Sequence, residues 1–111
     1  MVVQSELSDA EVDRVFHALA DATRRDILRR TLTGKATVSD LAAAYAMSFA
    51  AVQKHVAVLE GAGLVTKEQR GRARIVRGDP ETIARAQRLL DAYADLWRSR
   101  IDRLGELLDA D

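Results

Sequence analysis

Apolar positions recur along the chain in blocks whose spacing changes from one block to the next. Val12, Val15, Phe16 and Leu19 follow the i, i+3, i+4, i+7 spacing of a single helix face, and Ser8 with Glu11 forms a capping box ahead of them, so a first helix is predicted there. Asp21 is placed to cap a second helix through the run from Thr23 to Leu28. Its buried face would carry Ile27, Leu28 and Leu32, and Gly34, free to adopt positive φ, would end it. Thr37, with Asp40 three residues on, opens a short third helix with Val38, Leu41, Ala42 and Tyr45 as its apolar face, and Met47 falls in the turn that follows. Ser48 caps a fourth helix, in which Val52, Val56 and Leu59 repeat at helical spacing until Gly61 and Gly63 stop it. Two short capped helices a few residues apart suggest a helix-turn-helix.

Beyond residue 63 the pattern changes. Leu64 to Gln69 and Ala73 to Arg77 are short runs rich in Val, Ile and Thr, separated by Arg70-Gly71-Arg72, where Gly71 can turn the chain; this predicts a β-hairpin. Pro80, the only proline, follows Asp79, an acidic cap with proline at the first helical position, and begins a long last helix. There Ile83, Leu90, Trp97 and Leu104 stand seven apart, and Leu89, Tyr93, Leu96, Ile101, Leu107 and Leu108 widen the stripe. A stripe this long has to be buried. The first helix can cover part of it, but the same helix of a second subunit covers it more economically, which predicts a homodimer.

The chain has 111 residues, 48% of them hydrophobic, enough for one domain over residues 1–111 with a modest core. Residues 1–7 are expected to form a flexible N-terminus. Net charge is zero, so overall basicity says nothing about nucleic acid, but the distribution does. Residues 53–78 hold Lys54, Lys67, Arg70, Arg72, Arg74 and Arg77 against Glu60 and Glu68, a local charge of +4, while residues 79–111 carry −3 and the first 52 carry −1. One segment is thus a candidate polyanion surface. With no cysteine there is no disulfide framework, thiolate metal site or Cys nucleophile. The N-terminus lacks a basic segment followed by an apolar one, and no run approaches the ~20 apolar residues of a membrane span, so the chain reads as cytoplasmic.

A capped helix can enter the major groove of DNA, where its first turns reach base edges and nearby cations hold phosphates. On the fourth helix the exposed candidates are Ser48, Ala50, Ala51, Gln53, Lys54 and Ala57. Gln53 suits paired hydrogen bonds to adenine, the alanines suit thymine methyls, and Lys54 suits phosphate. The hairpin adds Lys67, Arg70, Arg72 and Arg74 around a glycine turn, as a wing over phosphates or in the minor groove would. Taken alone, these arginines could equally just solvate an exposed hairpin; the capped helix beside them favours DNA.

The segments Leu19-Ala20-Asp21-Ala22-Thr23-Arg24-Arg25-Asp26-Ile27-Leu28, Val38-Ser39-Asp40-Leu41-Ala42, Met47-Ser48, Val52-Gln53-Lys54-His55-Val56, Val58-Leu59-Glu60, Ala62-Gly63-Leu64-Val65 and Gly71-Arg72 together resemble the ArsR-type winged helix-turn-helix regulators, from about Val12 onward. The resemblance implies a mainly α fold with a small β-hairpin, five helices and a two-stranded wing, dimerising through the first and last helices. Val15, Leu19, Leu89, Leu90, Tyr93, Leu96, Trp97, Ile101 and Leu104 are the expected dimer interface. It further implies a repressor that sets two recognition helices in successive major grooves of a palindromic double-stranded operator, and an inducing signal that releases the DNA. His55 occupies a position the family fills with His, where it could bond phosphate or backbone, although structural packing is the simpler reading. The family pattern has Pro at position 22, Ser at 53, Leu at 56 and a basic residue at 57. Here Ala22, Gln53, Val56 and Ala57 stand instead, and Gln53 and Ala57 bear on the operator sequence.

Metal-sensing relatives carry cysteines at the start of the third helix or His and Asp ligands on the last. Neither set is present, and Asp91, Asp95 and Asp102 read as solvating carboxylates, so no metal or other cofactor is expected. Arg24 and Arg25 read as ion-pair and helix-start residues, and His17 as structural. Tyr93 and Trp97 read as dimer core, with a small-molecule effector site between subunits left open. The absence of a phosphate-cradling glycine loop, a paired-histidine motif or a nucleophile with a base argues against an enzyme. The competing function is a winged helix dimer that serves as a protein-interaction module, its basic hairpin meeting an acidic partner.

Overall fold

The computed structural model describes residues 7–109. Helices α1 (Asp9–Leu19) and α2 (Ala22–Thr33) lead into a short strand β1 (Ala36–Thr37), helices α3 (Val38–Ala43) and α4 (Phe49–Gly61), strands β2 (Val65–Arg70) and β3 (Ala73–Gly78), and the long helix α5 (Pro80–Asp109). Each helix start has its chemical reason. The Ser8 hydroxyl accepts from Glu11 N–H while the Glu11 carboxylate accepts from Ser8 N–H, and Thr37 and Asp40 repeat this box at α3. Asp21 accepts from Arg24 N–H at α2, and Ser48 from Ala51 N–H at α4. Asp79 accepts from Glu81 N–H, with Pro80 opening α5. Helix α4 ends as a Schellman motif. Gly63, at φ 76°, donates to Glu60 C=O, and Leu64 N–H reaches back to Leu59 C=O, which turns the chain into β2 with Leu64 buried.

The core lies where α1, α2, α3 and α4 meet the sheet. Val15, Ile27, Leu41, Val52, Val56, Leu59, Leu64, Val65 and Val76 are almost fully enclosed. All but Leu64 of these come from periodic positions or strand alternation that removes one face from water.

Strands β2 and β3 form the expected hairpin wing, and β1 adds a third strand on its β3 edge: the antiparallel sheet has the order β1-β3-β2, with Ala36 opposite Val76, Val65 opposite Gly78 and Arg70 opposite Ala73. Other expectations are corrected. Gly34 is extended (φ −178°) and feeds β1 in place of a left-handed stop. On α2 the third inward residue is Thr31, whose hydroxyl donates to Leu28 C=O; Leu32 is exposed and leans over Gly78 of β3, where a Cβ would lie 2.6 Å from it. Phe16 is exposed and Ala18 takes its place on the buried face of α1. Leu7 packs into the core, whereas residues 1–6, the rest of the segment expected to be flexible, lie outside the described residues.

Helix α5 is anchored only at its start. Thr82, Ala86 and Leu89 are buried, and no described residue after Leu89 is. The remainder projects away from the core, giving the molecule extents of 71 × 26 × 21 Å. No helix among the described residues is long and apolar enough to cross a membrane.

Candidate nucleic-acid interface

The turn between α3 and α4 is held from behind by α2. The Tyr45 hydroxyl donates to Asp26, which also accepts from Arg29 (2.6 Å) and Arg30 (2.9 Å), and the Arg30 guanidinium lies over the Tyr45 ring, 5.6 Å from its centre. These three donors hold the Asp26 carboxyl far below the usual carboxylate range, led by the Tyr45 hydroxyl, and burial pushes the Tyr45 phenol up.

On α4, Val52, Val56 and Leu59 seat the helix on the core, leaving Ser48, Phe49, Ala50, Gln53, Lys54 and Ala57 exposed and Ala51 half-buried. Gln53 lies one helical turn after Phe49 on the same face. The β2–β3 turn, with Gly71 at φ 58° and its C=O accepting from the Gln69 amide, lifts Arg72 and Arg74 to the same side. Thr37, Val38 and Ser39 from the start of α3, Phe49 and Gln53 from α4, and Arg72, Ala73 and Arg74 from β3 and its turn line one open cleft of about 420 Å³. The structure thus brings Gln53, Arg72 and Arg74 together. Phe49 and Ser39 join them; the sequence reading did not single these out as contacts, although a spacing of four from Gln53 places Phe49 on its face.

The other cations are engaged elsewhere. Lys67 lies 3.3 Å from Glu60, near the end of α4, and Arg70 lies 3.1 Å and Arg77 3.4 Å from Glu68, whose carboxyl is held below its ordinary value mainly by the Arg70 hydrogen bond. Among the described residues Arg74 forms no ion pair, its partner being the neutral Gln69 amide at 3.3 Å. No ion pair is formed by Lys54 or Arg72 among the described residues. His55 is half-buried and faces inward. Its Nδ1 is 3.4 Å from Arg24 Nη1 and 3.9 Å from Asp21, while Arg24 itself donates to Ala18 and His17 C=O at the end of α1. Arg25 donates to Leu19 C=O in the same way. These arginines close the C-terminal end of α1, where the helix dipole favours positive charge.

The apolar residues expected at a subunit interface divide into two groups. Val15 and Leu89 are already buried and Leu19 half-buried within the chain, which leaves Val15 no surface for a second subunit. Leu90, Tyr93, Leu96, Trp97, Ile101 and Leu104 are exposed, from 39% at Leu96 to 60% at Trp97, and no described residue covers them. Asp91, Asp95 and Asp102 are spread along the exposed part of the same helix, Asp95 pairing with Arg98 at 3.0 Å.

Comparison with known proteins bears on this arrangement. A family model described as a helix-turn-helix domain matches residues 19–68, the span from the end of α1 through most of β2. The chain is 34% identical over 99 residues to the HTH-type transcriptional regulator Rv2034 of Mycobacterium tuberculosis, covering 89% of this chain and 90% of the relative. It is similar to the crystal structure of an ArsR family transcriptional regulator, with 33% identity and TM-score 0.78 over 84% of this chain and 96% of the other. It is also similar to a solution structure described as the homodimeric winged helix-turn-helix DNA-binding domain of Mb0332 from Mycobacterium bovis, with 31% identity and TM-score 0.63 over 86% of this chain and 91% of that one.

Proposed function

The chain belongs to the ArsR family of helix-turn-helix transcriptional regulators, and from that premise we propose that it is a repressor which binds a palindromic operator as a homodimer, with α4 in the major groove and the β2–β3 wing over the adjacent backbone. One observation carries the reading: Gln53 on the recognition helix and Arg72 and Arg74 on the wing line a single cleft, so a base-reading amide and two guanidiniums face the same duplex. Lys54 extends the positive surface along α4, whose first turn Ser48 caps.

The exposed stripe of α5 supports the dimer. A row from Leu90 to Leu104 left in water is unfavourable in proportion to its apolar area, and a second copy of the same helix offers a matching row. The homodimeric assembly of the Mycobacterium bovis domain agrees with this. Two subunits related by a two-fold axis read an inverted repeat, which is why a palindrome is expected. Repression follows from a dimer seated on such a site, where it competes for the same DNA.

The test is selection of bound sequences from a random duplex pool, with sedimentation of the free protein. An enriched inverted repeat with half-sites about one helical turn apart, and a dimer in solution, is the expected result. A folded dimer that enriches no sequence and loses an acidic protein partner on Arg72→Ala would replace this reading with the protein-interaction module.

A further inference from the structure

Outside α5, three large apolar side chains stand exposed among the described residues: Phe16, Leu32 and Phe49. Leu32 rests against Gly78 of the sheet, and Phe16 lies on α1, away from the cleft. Phe49 alone sits on the charged face, at the first position of α4, 47% exposed and lining the cleft with Gln53 and the wing arginines. An aromatic ring held there is costly in water unless the bound state covers it.

We infer that Phe49 is a specificity-determining residue that packs on the 5-methyl group of a thymine in each half-site, an inference resting on the DNA-reading function proposed above. The major-groove edge of thymine is the base edge that carries a methyl, and an apolar side chain there is its natural complement. Gln53 is four residues on, about 6 Å further along the helix axis, and stacked bases are separated by about 3.4 Å. The thymine contacted by Phe49 therefore lies about one to two base pairs from the adenine that Gln53 is suited to read. Ala50, exposed in the same turn, suits a thymine methyl of its own, whereas Ala51 is half-buried.

The experiment starts from the operator recovered by selection and replaces each thymine in turn, in both half-sites, with deoxyuridine, which removes only the methyl. Wild type, Phe49→Ala and Gln53→Ala are titrated against each duplex. One thymine position is expected at which the replacement weakens wild type by roughly fourfold per methyl, about fifteenfold for both half-sites. That sensitivity should vanish in Phe49→Ala and persist in Gln53→Ala. Retention of the salt-dependent affinity for random duplex shows that Phe49→Ala is folded. Wild type insensitive at every thymine, or sensitivity that survives Phe49→Ala, overturns the assignment while leaving the DNA reader intact; failure to recover any operator overturns the underlying function as well.

Discussion

Replacing single cations on the wing separates the surface that the structure presents from the charge that the sequence contains. Six Lys and Arg fall within residues 53–78, and if all touched phosphate a dimer would neutralise twelve, giving a slope of log affinity against log salt of about −11. Pairing of Lys67 with Glu60 and of Arg70 and Arg77 with Glu68 removes three, leaving Lys54, Arg72 and Arg74 per subunit. Six contacts per dimer give a slope of about −5, or roughly a thousandfold loss of affinity between about 50 and 200 mM salt, against about a millionfold for twelve. Arg72→Ala should make the slope shallower by about 1.8, one contact from each subunit, whereas Lys67→Ala should leave it unchanged. Fluorescence anisotropy of a labelled operator over that salt range reads both. Equal flattening by Lys67→Ala and Arg72→Ala would refute the reasoning, because it would mean that the Lys67–Glu60 pair opens on binding.

Further outcomes follow from the same geometry. Trp97→Glu with Leu104→Glu should convert the dimer to monomer by sedimentation; because α5 beyond Leu89 is unsupported in one chain, its helical signal by circular dichroism should fall as well. Leu59→Ala, at a fully enclosed position, should cost about 2–5 kcal/mol in denaturant unfolding at fixed protein concentration. Asp26, Asp21, Glu11 and Glu68 all have carboxyls held below their ordinary values, led respectively by the Tyr45 hydroxyl, Arg24 N–H, Ser8 N–H and Arg70. A lowered folded value means stability fully present above the unfolded value and lost as pH falls through the folded one. Melting temperature should therefore drop on acidification below about pH 4, with a smaller drop in Asp26→Asn; identical acid profiles for the two proteins would contradict the Tyr45–Asp26 assignment.

How much of this was legible from the chain depended on how local the cause was. The capping residues Ser8, Asp21, Thr37, Ser48 and Asp79 all act where the spacing of side chain and amide predicted, because a cap and its amides lie within three residues of each other. The buried row on α4 and the hairpin around Gly71 were equally readable from period and turn chemistry; at the start of α5 only Leu89 was, since Thr82 and Ala86 carry no apolar periodicity. Ala36 and Thr37 could not be read as a strand, since two residues carry no periodicity and their partners Val76 and Ile75 are about forty positions away. Gly34 was read as left-handed for the same reason: its extended backbone is imposed by that pairing and has no local signal.

The candidate interface shows the same division. A capped helix with Gln53 on its outer face, followed by a basic hairpin, can be read from the chain alone, because both are properties of short segments. Tertiary structure alone decided which charges remain available, since Lys67 meets Glu60 and Arg77 meets Glu68 only after the sheet is folded. It also turned His55 inward against Arg24, buried Val15 within its own subunit and set Phe49 beside the wing. Periodicity reports which face of a helix is apolar, but which neighbour covers that face, and which ion finds a partner, depends on contacts between residues far apart in the chain.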